Sequence, residues 1–164
     1  MKAISDATPI IHLAKIGKIV YLKKIFEEVI IEKEVYKEII ENKKSLDKVE
    51  AEAVKRAINE SIIKVKEVKE DLEIPNLDIG EKKSILLAKE LKINNILIDE
   101  KEGFNAAIVF GLTPLRTTSI LMFLLDKKII DFKEYEISLN NLIRTGYYLD
   151  STTHQRLINI GKNL

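Results

Sequence analysis

Two short apolar segments of the chain are each followed directly by an aspartate. Asp6 comes after Lys2-Ala3-Ile4-Ser5, and Asp99 comes after Ile96-Leu97-Ile98. Both segments are typical of buried strands. Ligands of open α/β sheets bind beyond the carboxyl ends of the strands, so we expect both aspartates at the functional edge of a sheet.

If both aspartates are ionised, a proton or an opposite charge must offset the repulsion between their carboxylates. If their strands are neighbours, the carboxylates lie about 5 Å apart and repel by about 3 kcal/mol at an effective dielectric constant of about 20. A shared proton, a basic partner or a divalent cation can offset this repulsion. A hard cation such as Mg²⁺ or Mn²⁺ prefers oxygen ligands and commonly binds phosphate as well. The expected chemistry is phosphoryl transfer or phosphodiester hydrolysis.

Strand and helix patterns alternate around these acids. Besides the two segments above, strands are expected at residues 29–31, at residues 62–68 as an edge strand, and at about residues 112–115. Helices are expected at about residues 9–16, 19–26, 35–40, 47–59, 81–91, 106–110, 120–125, 132–144 and 152–160. In the first helix, Thr8 is the expected N-cap and Pro9 the first helical residue. This alternation predicts an α/β domain with a mostly parallel sheet.

Composition excludes several classes of protein. The 164 residues contain no Cys, which excludes a disulfide scaffold and a cysteine zinc site. The net charge of +1 argues against a large basic surface for nucleic acid. Apolar runs are far shorter than the about 20 residues that cross a bilayer, and Asp6 interrupts any signal-peptide pattern. We therefore expect one domain over residues 1–164, located in the cytoplasm and without a membrane segment.

Several other polar residues have a structural explanation. Asp78 and Glu81 form a capping-box pattern, in which Asp78 is the N-cap and Glu81 can serve as both cap and ligand. His12 lies beside the apolar face of its helix and is expected to pack there. His154 is expected on the surface.

Basic residues form no recognisable nucleotide-binding motif. Gly17-Lys18 and Gly161-Lys162 lack the upstream glycine of a phosphate-binding loop. Lysine pairs at residues 23–24, 43–44, 82–83 and 127–128 are expected on solvated faces. Lys82, beside Glu81, is also a candidate for holding an RNA phosphate.

Five short stretches match one known family in its order. They are residues 4–17 (ISDATPIIHLAKIG), 35–39 (VYKEI), 77–81 (LDIGE), 96–100 (ILIDE) and 146–151 (GYYLDS). With them the chain resembles PIN-domain ribonucleases, especially small archaeal and bacterial proteins akin to VapC-type toxins. The resemblance implies a three-layer α/β/α sandwich, a carboxylate cluster that binds Mg²⁺ or Mn²⁺, and endoribonuclease activity with water as nucleophile. It also implies a homodimer.

The resemblance assigns a metal site and nearby hydroxyl groups by matching position. The implied metal-site and catalytic acids are Asp6, Glu38, Glu81 and, as the fourth, Asp99 or Glu100. Helical spacing alone does not single out Glu38, because Glu32, Glu34 and Glu41 are expected on the same helix. Thr8 and Thr118 resemble hydroxyl positions of the family near the site, and with Lys82 they are the candidate substrate contacts.

Four residues depart from the family pattern. Ala7 stands where Thr or Ser is common, and Thr117 occupies a position that is often Gly. Phe104 and Asn105 stand where a basic residue usually follows Gly103. These departures affect substrate contacts more than metal binding.

The leading hypothesis is a divalent-metal-dependent endoribonuclease acting on RNA, the toxin of a toxin–antitoxin pair in one version, with an antitoxin protein as partner. A catalytically weak RNA- or protein-binding module is the alternative, favoured by Ala7, Phe104, Asn105 and the neutral charge. A receiver-like phosphoacceptor domain also has acids at strand ends. It requires a Lys after its last strand, where Leu115-Arg116-Thr117 offers only Arg.

Overall fold

The computed structural model describes residues 1–41 and 47–164, and the predicted lysine pair at residues 43–44 lies outside them. Within these ranges one sheet is formed by β1 (Lys2–Ser5), β2 (Glu28–Glu32), β3 (Ile63–Lys66), β4 (Asn95–Leu97) and β5 (Thr113–Leu115). The strand order is β3-β2-β1-β4-β5, and each neighbouring pair is parallel. The predicted parallel sheet and the edge position of β3 are confirmed.

Helices follow the strands and cover both faces of the sheet. They are α1 (Ala7–Lys15), α2 (Leu22–Ile25), α3 (Lys33–Glu41), α4 (Lys48–Asn59), α5 (Ile79–Glu90), α6 (Lys101–Val109), α7 (Thr117–Asp126), α8 (Phe132–Arg144) and α9 (Ser151–Gly161). A short 3-10 helix at Ile19–Tyr21 precedes α2. None of these helices is long and apolar enough to cross a membrane.

The sheet separates two apolar cores because alternate strand residues face opposite sides. Ala3 and Leu97 pack with α1, α7 and α8 on one side, whereas Ile4 and Ile96 pack with α5 and α6 on the other. Register brings Ile4 of β1 between Ile30 of β2 and Ile96 of β4. The three-layer α/β/α sandwich is therefore confirmed, and the apolar run of α7 lies in the core as expected.

Two local predictions are wrong. The first helix begins at Ala7 with Asp6, not Thr8, as its N-cap, so Pro9 is the third helical residue. Proline is accepted there because the first four N–H groups of a helix have no intrahelical partner. Glu32 ends β2 instead of lying on the helix of Glu38. Its buried carboxylate accepts hydrogen bonds from the backbone N–H groups of Glu34 and Val68, which holds it at the strand end.

Candidate active site

Three carboxylates surround Gly80, the second residue of α5. A Cβ atom built on Gly80 would lie 3.2 Å from Glu38 Oε2, 3.3 Å from Asp6 Oδ1 and 3.4 Å from Asp78 Oδ1. These oxygens come from α3, from the residue that follows β1, and from the N-cap of α5. We call Asp6, Glu38, Asp78 and Gly80 the acidic cradle. The absence of a side chain at Gly80 leaves the space between the three oxygens open.

Asp6 is the buried member of the acidic cradle. Its backbone N–H donates a 2.9 Å hydrogen bond to the Leu97 carbonyl, which fixes it between β1 and β4. The residue is 3% exposed, and its Oδ1 has no hydrogen-bond partner within the described parts of the chain. Burial raises the pKa of Asp6 to about 8, with the charges of Asp78 and Glu38 adding to the effect. An unpartnered buried carboxylate of this kind is stabilised by a proton or a cation.

Glu38 and Glu81 show the same electrostatic trend. Burial, followed by the charge of Asp78, raises the pKa of Glu38. Burial also raises the pKa of Glu81, and the charges of Asp78 and Glu100 add to it, although a backbone hydrogen bond at Asp78 opposes the rise. The accumulated negative charge therefore spans α3, α5 and the start of α6.

The capping box predicted at the start of α5 is present. Asp78 Oδ1 accepts from the Glu81 N–H at 2.8 Å, and Glu81 Oε2 accepts from the Asp78 N–H at 3.1 Å. Asp78 was expected only to cap the helix, yet the same oxygen also borders the acidic cradle. Glu81 Oε1 instead lies against α6, where a Cβ built on Gly103 would approach it to 2.7 Å.

The carboxylate oxygens of the acidic cradle are of the kind that a hard divalent cation prefers. They do not approach a common point as closely as metal ligands do. Within residues 1–41 and 47–164, no group of three or more His, Cys, Asp or Glu side chains is arranged to hold a metal ion as it stands. Three carboxylate oxygens nevertheless line one open space, and one of them is buried without a partner among the described residues. Mg²⁺ usually keeps several water ligands, so a set of carboxylate oxygens that leaves room for water fits its chemistry.

Asp99 is bound by hydrogen-bond donors on the α7 side of the sheet. Its Oδ1 accepts from the Thr117 N–H at 2.8 Å and from the Tyr147 hydroxyl at 3.0 Å, and its Oδ2 accepts from Thr117 Oγ1 at 2.6 Å. Ser5 of β1 pairs with Leu97 of β4, so the two strands are neighbours as predicted. The carboxylates that follow them have different surroundings: Asp6 borders the start of α5, and Asp99 borders the start of α7.

Glu100, the other candidate for the fourth acid, is exposed at the N-cap of α6 and makes no capping hydrogen bond with its side chain. Its charge is one of those that raise the pKa of Glu81. The charge of Glu100 therefore acts on Glu81 of α5, whereas Asp99 is held by α7 and by Tyr147.

A cavity of about 640 Å³ adjoins Asp99. The predicted hydroxyl residues Thr8 and Thr118 both line it, together with Glu100 and Arg116. Tyr148, on the rim, is 88% exposed. The cavity is therefore polar, carries charges of both signs, and has an exposed aromatic ring at its edge.

The two histidines lie where the sequence places them. His12 packs edge-on against Tyr147, with ring centroids 5.1 Å apart, and burial lowers its pKa. Its Nδ1 has no partner within the described residues. His154 makes an exposed 3.1 Å hydrogen bond to Asn140 on α8. His12 thus packs as expected and also borders the cavity.

Lys82 is engaged by acids outside the acidic cradle. Its Nζ lies 3.1 Å from Asp71 Oδ1 and 3.0 Å from Glu73 Oε1. Hydrogen bonds to Glu73 and Asp71 raise the pKa of Lys82. An RNA phosphate at Lys82 would therefore compete with two carboxylates.

Sequence reasoning did not single out the contact between Arg116 and Phe104. The guanidinium carbon of Arg116 lies 4.5 Å from the centroid of the Phe104 ring, and its Nη1 donates a hydrogen bond to the Asp99 carbonyl. Phe104 stands where the family resemblance leads to the expectation of a basic residue. The signal in the sequence is this aromatic residue together with a single arginine at the end of β5.

Comparisons with known proteins agree with this architecture. The family model described as a PIN domain matches residues 2–162. A PilT N-terminus domain protein from the hyperthermophilic archaeon Sulfolobus solfataricus P2 has a similar structure, with a TM-score of 0.55 and 18% sequence identity. That match covers 74% of this chain and 92% of the archaeal chain. None of the curated proteins compared with the chain matches it. At this identity the structural match shows a shared fold.

Proposed function

Since the chain belongs to the PIN-domain family, whose members are nuclease-like modules, we propose that it is a divalent-metal-dependent endoribonuclease that hydrolyses RNA phosphodiester bonds. The observation that carries the proposal is the acidic cradle, in which the buried Oδ1 of Asp6 has no partner in the described chain and faces oxygens of Glu38 and Asp78. Such a site attracts a divalent cation and, through it, a phosphate.

Asp6, Glu38 and Asp78 would hold Mg²⁺ or Mn²⁺, with Glu81 and the exposed Glu100 beside them. When bound, the metal lowers the pKa of the attacking water and stabilises negative charge on the phosphate. Asp6 provides the fixed carboxylate, because its backbone is hydrogen-bonded between two strands. Asp99 holds the start of α7 and Tyr147 at the cavity wall, where the substrate backbone is expected to lie.

The proposal is tested by RNA cleavage with Mg²⁺, with Mn²⁺ and with EDTA. We expect cleavage with either ion and none with EDTA. Asp6→Asn should lower the rate by at least about 100-fold, because it removes the buried charge that binds the ion. Asp99→Asn should lower the rate as well, through the wall of the cavity. Cleavage that needs no metal and survives both substitutions would contradict the mechanism.

A catalytically weak RNA- or protein-binding module is the second candidate. It is favoured by the observation that no described cluster of acids closes around one point. Calorimetric titration distinguishes the two functions. RNA or protein binding without any binding of Mn²⁺ would favour the module, and Mn²⁺ binding that Asp6→Asn removes would favour the nuclease.

The similarity to VapC-type toxins extends the proposal to the toxin of a toxin–antitoxin pair. Expression in a bacterial host should then arrest growth, and expression of the Asp6→Asn variant should not. The expected homodimer is tested by light scattering of the purified protein, and the antitoxin by co-purification with the product of an adjacent gene. A cytoplasmic location remains part of the same proposal.

A further inference from the structure

We propose that Arg116 binds a phosphate of the substrate backbone at the cavity, and that Phe104 positions the guanidinium for this contact. The proposal rests on the ribonuclease function proposed above, and it adds the residue that recognises the substrate backbone beside the acids.

The guanidinium of Arg116 is fixed by two contacts that leave most of its donors unused. The guanidinium carbon lies over the Phe104 ring, 4.5 Å from its centroid, and Nη1 donates to the Asp99 carbonyl. This is the only hydrogen bond of the Arg116 side chain within residues 1–41 and 47–164. A guanidinium has five N–H donors in one plane, so an edge remains that matches two phosphate oxygens. Stacking on an aromatic ring holds that plane in place.

The charge of Arg116 is not neutralised by a neighbouring carboxylate in the described structure. Arg116 contacts Asp99 only through the backbone carbonyl within the described residues, and the Asp99 carboxylate is occupied by Thr117 and Tyr147. By contrast, Lys82 and Lys18 each form close ion pairs with acids. Arg116 is therefore an ordered cation whose charge is available to a ligand of the cavity that it lines.

The first turn of α6 connects Arg116 to the acidic side of the site. Gly103 lies against Glu81, since a Cβ built on it would come within 2.7 Å of Glu81 Oε1. The ring of Phe104, the next residue, contacts the guanidinium of Arg116. Arg116 also immediately precedes α7, whose N-terminus adds positive partial charge at the cavity wall. The first turn of α6 therefore lies between the Arg116 guanidinium on one side and the Glu81 carboxylate of α5 on the other.

Binding of a short fluorescein-labelled single-stranded RNA of mixed sequence tests the proposal. Anisotropy is measured in EDTA, which keeps the RNA intact, over a range of KCl concentrations. Arg116→Ala should weaken binding by about 10-fold or more. It should also reduce the slope of log K against log [KCl] by about 0.7, as expected for the loss of one phosphate contact to a single strand. Arg56→Ala on α4, which removes the same charge from an exposed helical position outside the cavity, should change neither quantity.

Two further variants separate positioning from charge. Arg116→Lys should keep the slope and lose part of the affinity, because an ammonium retains the charge but not the planar, stacked fork. Phe104→Leu should keep the slope and weaken binding by about 2- to 5-fold. In the Arg116→Ala background, Phe104→Leu should have no additional effect on binding. Circular dichroism melting of each variant confirms that it is folded at the assay temperature.

The outcomes of these binding measurements support or overturn the roles of Arg116 and Phe104 as follows. An Arg116→Ala variant that binds with the wild-type affinity and slope, or that loses only thermal stability, overturns the proposal and leaves the ribonuclease function intact. An additive effect of Phe104→Leu in the Arg116→Ala background overturns the positioning role. If Arg116→Ala does not fold, wild-type binding by both Arg116→Lys and Phe104→Leu overturns the proposal. If the wild-type protein neither binds nor cleaves RNA, the proposed function fails together with this inference.

Discussion

The hydroxyl of Tyr147 donates a 3.0 Å hydrogen bond to Asp99 Oδ1 and joins the α8–α9 connection to the end of β4. Burial, with the charge of Asp99, raises the pKa of Tyr147, so its hydroxyl stays protonated and acts as a donor. With the two bonds from Thr117, this contact satisfies the Asp99 carboxylate. Asp99 therefore joins three segments, whereas Asp6 keeps an oxygen that has no partner in residues 1–41 and 47–164.

Removing the Tyr147 hydroxyl should destabilise the protein without unfolding it. Tyr147 is 8% exposed, and Tyr147→Phe leaves the buried Asp99 carboxylate one donor short, at a cost of about 1–3 kcal/mol in the free energy of unfolding. Urea denaturation measures this cost. Tyr148→Phe is the matched control, because the neighbouring ring is 88% exposed and its loss of a hydroxyl should leave stability unchanged. Equal stabilities of the two variants would contradict the role given to the Tyr147–Asp99 bond.

The stability of the metal-free protein should depend on pH through Asp6. Its pKa rises from an ordinary 3.8 to about 8 on folding, so between these values the folded chain retains a proton that the unfolded chain has released. The free energy of unfolding then falls as pH rises through this interval, by up to about 1.4 kcal/mol per pH unit. The raised pKa values of Glu38 and Glu81 act in the same direction.

Urea denaturation in EDTA between about pH 5 and pH 8 measures this dependence. The wild-type protein should be more stable at the acidic end. Asp6→Asn should flatten the curve and exceed the wild-type stability at the alkaline end, because an amide has no charge to bury. Parallel curves for the two proteins would show that Asp6 does not titrate in this range.

The main elements of the fold could be predicted from the sequence because local signals define them. β1 and β4 are apolar runs that end in aspartate, and α8 has the predicted bounds, residues 132–144. The capping box at Asp78 and Glu81 was also recognisable, because both partners lie within one helical turn. These features depend on residues that are close in the chain.

The orientation of the site could not be predicted in the same way. The Asp99 carboxylate is held at α7 by hydrogen bonds from Thr117 and Tyr147. These donors lie 18 and 48 positions further along the chain, so no local pattern indicates them. The Arg116–Phe104 contact likewise joins α6 to the end of β5. Neither pairing has a local pattern, since the fold alone brings these residues together. Asp78 was expected only as a cap for a related reason: its second role depends on the positions of β1 and α3.

Glu38 can be distinguished from another acid of α3 by its contribution to metal binding. Glu38 Oε2 borders the open space at Gly80, whereas Glu41 is exposed at the end of the same helix. Glu38→Gln should weaken Mn²⁺ binding by at least about 10-fold, because it removes one carboxylate from the site. Glu41→Gln removes the same charge from α3 and should bind Mn²⁺ as the wild type does. Isothermal titration calorimetry compares them, and equal affinities would exclude Glu38 from the site.

Filling the space at Gly80 should separate metal binding from stability. A Cβ there would lie 3.2–3.4 Å from three carboxylate oxygens, which must move by a few tenths of an ångström. Alanine also favours the helix by about 1 kcal/mol, so Gly80→Ala should stay folded in EDTA while its Mn²⁺ affinity falls. Gly103→Ala provides the contrast: its Cβ would come within 2.4 Å of Ile98 Cδ1, and the variant should lose stability. Unchanged Mn²⁺ affinity in Gly80→Ala would argue against a cation in the acidic cradle.

The central place of β1 has a consequence for synthesis on the ribosome. β1 is made first but lies between β2 and β4, so one of its edges stays unpaired until β4 has emerged. Asp99, Phe104 and Arg116 follow β4 in the chain, so a nascent polypeptide that ends before them carries Asp6 and Glu38 without the wall of the cavity. Pairing between such distant segments also slows folding. For the proposed ribonuclease, this order of assembly postpones activity until β4 and the cavity wall that follows it have been translated.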